Sequence, residues 1–302
     1  MMGPRTSRNT GFTLVELVVA IVLTAIVVGF STMFLTAPVD TYYTQSRRAE
    51  LADYADSIKR RMSDDLRLAL PNSVRINVSG TRAIVEMLVA EQVAFYRGDA
   101  TVGDPARELS INVTDAEFAT LGRIYPAPGG AFTLMLPSRY RLSVNNLGIS
   151  GSNAYQSTNV ITPGGTQIEL SNGGAAGEED HIRLTPGFRF TSASPSNRLF
   201  LVSGPVAYIC NSAANARTVR RYENYTITAG IPASEAAAQL NVAGVVSTVV
   251  ARDVTACQLR CSAGSTAPCS SALVVDLTLS RANNTSNESI KVFTQLPVEN
   301  TT

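Results

Sequence analysis

Glu16 is the only charged side chain between Phe12 and Ala37. An ionised carboxylate in hydrocarbon costs about 2.5 to 3.5 kcal/mol even on lenient insertion scales, so it is rarely left without a partner. Its chemistry is therefore ion pairing. A second reactive set is the four cysteines, Cys210, Cys257, Cys261 and Cys269, all in the C-terminal third. Beyond a membrane segment their default chemistry is disulfide formation. Zinc would need further ligands at metal spacing, but one Cys only follows Cys257 and Cys261, and the sole histidine is His181. A third set is GGAAGEEDHIR (173–183), which gathers Glu178, Glu179, Asp180 and His181 behind a glycine-rich turn. It offers oxygen ligands for calcium but lacks the alternating ligands of an EF-hand loop, so a solvated turn is expected.

For catalysis the residues are poor. There is one histidine and no G-x-S-x-G, H-E-x-x-H or G-x-x-x-x-G-K-[ST] pattern, so nucleophile, metal and phosphate frameworks are missing. The chain is expected not to be an enzyme and to carry no cofactor and no metal. A formal charge of +1 gives no field to attract nucleic acid. With 45% apolar residues over 302 positions a core is assured and disorder is excluded. Beyond residue 140 the chain is rich in Ser, Thr, Asn, Ala and Gly, with only two lysines overall, Lys59 and Lys291. That composition suits an exported strand-and-loop protein.

These groups require elements to hold them. Residues 12–37, at ~1.5 Å rise each, make a helix of about 39 Å, enough to cross the hydrocarbon. Arg5 and Arg8 precede it and the next basic residues are Arg47 and Arg48, so the positive-inside rule keeps the N-terminus cytoplasmic and the remainder outside. No A-x-A-like site follows the apolar run, so the segment is expected to be retained.

The hexapeptide Gly11-Phe12-Thr13-Leu14-Val15-Glu16, after a basic leader and before an apolar run, resembles the processing signal of type IV prepilins and type II secretion pseudopilins. A simple signal anchor explains the hydrophobicity but not this hexapeptide. The resemblance implies removal of residues 1–11 by a prepilin peptidase, cleavage after Gly11 and N-methylation of Phe12. Glycine suits the position because it lets a protease approach the backbone closely. Cleavage would create a positive α-amino group at Phe12, and the resemblance implies that Glu16 pairs with that group on a neighbouring subunit. It further implies a bacterial inner-membrane protein, single-pass with a periplasmic head, that later enters a pilus. Its partners would be other minor pilins, the major pilin, an inner-membrane assembly platform and, before assembly, the lipid bilayer.

Between residues 38 and 70 apolar Leu51, Ala55, Ile58, Met62, Leu66 and Ala69 recur at helical spacing, which predicts an amphipathic helix. Asp56 with Arg60, Arg60 with Asp64 and Arg61 with Asp65 stand one turn apart on its polar face. Pro38 is expected to kink or interrupt the helix and Pro71 to stop it.

From residue 71 to 302 strand-like runs take over: 74–78, 83–89, 92–97, 108–113, 132–136, 166–170, 181–184, 188–190, 198–210, 218–227 and 272–280. Few amphipathic helical stretches intervene, so an antiparallel sheet is favoured. The expected class is α+β, a long N-terminal helix packed on an antiparallel sheet head, pilin-like. Segment 234–254 stays open between helix and strand.

Four stretches, RRAELADYADSIKRRMSDDLRLALPNSVRI (47–76), LSVNNLGISGSNAY (142–155), RLFLVSGPVAYIC (198–210) and DVTACQLRC (253–261), resemble the O-type minor pilins of mannose-sensitive haemagglutinin (MSHA) pili. The likeness implies a structural subunit acting in pilus assembly initiation or at the tip. A J-type pseudopilin of type II secretion and a membrane-anchored adhesin are the alternative readings. Cys261 and Cys269 look like a local addition to the family pattern. Of three possible pairings, the favoured one joins Cys210 to Cys257 across two strands and Cys261 to Cys269 across a surface loop.

Overall fold

The computed structural model describes residues 11–98, 107–124, 131–174, 179–264, 267–282 and 287–300. One helix, α1 (Leu14–Arg67), accounts for 54 residues, about 81 Å at 1.5 Å per residue. It passes through position 38 without interruption, so of the two outcomes expected there the break does not occur. Proline removes one backbone hydrogen bond, and the long helical stretches on either side outweigh that local loss. The helix ends at Arg67, four positions before Pro71. The N–H groups of Leu68 and Ala69 turn back to Asp65 O and Leu66 O, and the exiting chain is captured by strand β2, with Leu70 N–H donating to Leu88 O and Ala90 N–H to Leu68 O, both at 2.7 Å.

Among the described residues thirteen strands follow. They are β1 (Arg75–Ser79), β2 (Arg82–Tyr96), β3 (Asp115–Leu121), β4 (Phe132–Met135), β5 (Arg141–Ser143), β6 (Gln167–Asn172), β7 (His181–Phe188), β8 (Arg198–Asn211), β9 (Thr218–Glu223), β10 (Val246–Arg252), β11 (Val254–Cys261), β12 (Ala272–Ala282) and β13 (Asn287–Pro297). A ten-stranded sheet runs β10-β9-β8-β2-β3-β7-β6-β4, with β1 on β2 and β5 on β8. A smaller one runs β11-β12-β13. Every paired strand is antiparallel.

The central strand β2 explains the layering. Its residues 83 to 90 are buried on both faces, which is why they read as one continuous apolar run. Ala83, Val85, Met87 and Val89 face the amphipathic half of α1, where Leu51, Ile58, Met62 and Leu66 join Leu273, Val275, Leu277 and Leu279 of the smaller sheet in one core. Ile84 and Leu88 point to the opposite face, into separate clusters. Beyond a register shift at Val89, Ala90 and Gln92, Ala94 and Tyr96 enter a second core with Phe118, Leu170, Ile182 and Phe190.

Several sequence expectations need correction. Segment 108–113 is turn rather than strand: the Asp115 carboxylate accepts the Ser110 N–H at 2.8 Å and Asn112 adopts φ +64°, a conformation asparagine tolerates. The run 92–97 is the far end of β2, and the open segment 234–254 yields a short 3-10 turn, Ala238–Leu240, followed by β10. On α1, Asp56 meets Lys59 at 3.4 Å instead of Arg60. Asp65 turns from Arg61 to the sheet, where Arg221 grips it with two bonds of 2.7 and 3.0 Å.

Candidate functional site

The N-terminal site is built by the first turn of α1. Thr13 is the N-cap, and its hydroxyl oxygen accepts the Glu16 N–H at 3.3 Å while its O–H points to Glu16 Oε2 at 3.5 Å. Thr13-Leu14-Val15-Glu16 is thus a capping box pattern, a signal that the sequence reading missed in attending to the charge alone. The positive end of the helix dipole also favours a carboxylate in the first turn. Glu16 is held locally, one turn from Phe12. Among the described residues nothing lies within 4 Å of where a Cβ would stand on Gly11, and none of them covers its peptide link to the exposed Phe12.

From Leu14 to Ser31 mean hydropathy is 2.6 and no residue is buried within the protein. A helix apolar on every side and covered by nothing of its own suits lipid or neighbouring helices. Its hydroxyls are already satisfied: Thr24 donates to Ala20 O and Ser31 to Val27 O, both at 2.7 Å. Phe12 lies along the face of Leu17, Ala20, Ile21, Thr24 and Val28, rimming a shallow apolar groove of about 660 Å³.

The lower half of α1 is tied to the head by charge as well as by packing. Arg48 meets Glu288 at 2.5 Å. Arg281 bridges Glu50 of the helix and Asp253 beside β10, and the Arg281 bond holds the Glu50 carboxyl below its ordinary range. Tyr208 donates to Asp65 at 2.5 Å. Burial and the adjacent Asp65 carboxylate together raise the pKa of that phenol. Behind β2, buried Glu86 accepts from Arg75 at 2.5 Å and from Tyr225 at 2.8 Å. Burial, opposed by Arg75, pushes its carboxyl upward.

The cysteines pair as Cys210–Cys257 and Cys261–Cys269, with Cα separations of 6.3 and 5.5 Å. Cys210 is on β8 and Cys257 on β11, so the first bond joins the two sheets. The second closes a loop whose described residues 262–264 and 267 are exposed, while Cys261 and Cys269 themselves are buried in the core beneath α1, and Cys269 N–H donates to Val74 O at 2.7 Å.

In the acidic stretch at 173–183, residues 175–178, Glu178 among them, lie outside the described residues, and Glu179, Asp180 and His181 are bonded into the fold. Glu179 is bound by Arg97, and fully buried Asp180 accepts the Ile124 N–H and the Asn172 amide, each at 2.9 Å. His181 pairs within the sheet between Ala119 and Ser171. Among the described residues no three His, Cys, Asp or Glu side chains are placed to hold a metal.

Residues 6–32 match the family described as the prokaryotic N-terminal methylation motif. No curated protein and no solved structure matches the chain. The match covers Gly11, Phe12 and Glu16 together with most of the apolar helix, so the chain carries a prepilin-type methylation motif at the head of a helix fit for a membrane anchor.

Proposed function

We propose that the chain is a minor pilin, a non-enzymatic subunit of an MSHA-type type IV pilus that acts in assembly initiation or at the tip. The observation carrying this reading is the methylation motif, residues 6–32, heading a helix whose first half is wholly exposed and whose second half is locked into the head. Prepilin peptidase cuts after Gly11, and Phe12 becomes the methylated terminus. Its amine then pairs with Glu16 of an adjoining subunit as the apolar helices leave the bilayer and pack together. In that low-dielectric bundle the pair is far stronger than in water. The uninterrupted α1 couples the two ends, so a pull on the apolar half is transmitted to the head through Met62, Leu66 and the Glu50–Arg281 bridge. The four stretches resembling O-type minor pilins, three of them in the head, support the pilus system over type II secretion.

Deletion in the native bacterium tests the assignment. Loss of surface pili with protein secretion intact is expected. Loss of secretion with pili intact would replace this reading with a J-type pseudopilin, and normal piliation with lost surface attachment would replace it with an adhesin.

A further inference from the structure

Along one edge of β8 the neighbouring strand changes. Strand β5 pairs through Arg141 with Val202, Leu142 with Leu201 and Ser143 with Phe200, and β9 takes over only at Ala207 with Tyr222. Residues 203–206 lie between the two. Pro205 has no N–H to offer a ladder, and Gly204 takes φ +142° at the β2–β8 bulge. The interval opens a cleft of about 270 Å³ whose lining includes Ser138, Arg139, Arg141, Ser203, Asn224 and Thr226 and contains no carboxylate.

Arg141 differs from the arginines of the head that pair with a carboxylate. Arg75, Arg82, Arg97, Arg183, Arg221 and Arg281 each meet a carboxylate, whereas half-buried Arg141 makes no ion pair or side-chain hydrogen bond among the described residues. Its pKa is lowered by burial, with no opposing partner. A Cβ at Gly164 would stand 3.0 Å from Arg141 Nη2, so the glycine leaves room for the guanidinium. Arg139 lines the same cleft over the Tyr140 ring, 5.0 Å away. Tyr140 in turn donates to Glu91 at 2.6 Å, and Glu91 and Glu223 line the adjoining cleft. Both acids act on Arg139, which lines the two clefts, and neither lines the cleft of Arg141. A desolvated cation without a countercharge is costly, and a guanidinium fork matches a carboxylate or phosphate with two parallel bonds.

We propose that the cleft between β5 and β9 binds an oxyanion, the carboxylate or phosphate of a small ligand, seated on the guanidinium of Arg141. Glucuronate, inorganic phosphate and uncharged glucose, titrated calorimetrically into the full chain in non-ionic detergent, test this. Saturable binding of glucuronate or of phosphate at one per chain is expected, with none for glucose, and the anion that binds identifies the source. Arg141→Gln should weaken it at least tenfold and Arg141→Lys less. Without added anion, Arg141→Gln should melt at or above the wild-type temperature, because it removes a partly desolvated, unpaired cation. Absence of binding by both anions, unchanged affinity in Arg141→Gln, or a lowered melting temperature showing that the fold itself needs Arg141 would each overturn the proposal.

Discussion

Glu16 stands within the first turn of α1, its backbone and carboxylate engaged by Thr13, and nothing else among the described residues covers it. The local bonds survive replacement by glutamine, while the charge does not, so Glu16→Gln separates capping from pairing. In the native membrane Glu16→Gln should be processed normally yet enter sheared fibres at least about tenfold less, because an amine left unpaired in a packed bundle is costly. Wild-type incorporation on immunoblots of the fibre fraction would remove the charge pair from the assembly step. At Glu50 the effect is one of pH. Its folded pKa is lowered by Arg281, so the bridge stabilises above the unfolded pKa and is lost as pH falls through the folded one. Glu50→Gln should lower stability at pH 7 and converge with wild type well below pH 4.5. With 45% of the side chain exposed, the difference should stay under about 1 kcal/mol in urea melts. At this scale the charge anomaly and the hexapeptide were legible in the sequence. The tertiary partners of Asp65 and Asp180 were not, because side chains far apart in the chain supply them.

The amphipathic half of α1 was the most legible element. Leu51, Ile58, Met62 and Leu66 all reach the core, because helical periodicity is written locally. Met62→Ala should cost about 2 to 5 kcal/mol in a urea melt of the full chain in detergent. Leu17→Ala, on the exposed half, should leave the head unchanged, and equal effects would deny that the two halves have different surroundings. Strands with continuous or alternating apolar runs, such as β2, β8 and β12, were equally readable. Strand β3 (DAEFATL) opens with acids, and β13 (NESIKVFTQLP) mixes charge into its alternation. Each is fixed by ladder bonds to a neighbour, β7 and β12 respectively. Pairing of that kind lies outside any local window.

At the scale of the whole molecule, α1 lies against both sheets, and the Cys210–Cys257 bond joins the sheets across 47 positions. Loop entropy gives that bond about 4 kcal/mol and the Cys261–Cys269 bond about 2.5 kcal/mol. The Cys210→Ala/Cys257→Ala protein should therefore unfold at markedly lower urea than Cys261→Ala/Cys269→Ala, and the reverse order would place the main constraint in the second loop. The class of the chain was visible in its sequence through a short N-terminal signal. The strand order was not, since the crossovers that place β2 beside β8 depend on contacts more than a hundred positions apart. The proposed processing at Gly11 and Phe12 unites the scales, because it would turn an anchored precursor into a subunit able to pair with its neighbour. Mass spectrometry of the N-terminal peptide, from protein isolated out of its native membrane or fibre, addresses it most directly. A mature chain starting at N-methylated Phe12 is predicted, and a chain that retains residues 1–11 or starts at any other residue would contradict it.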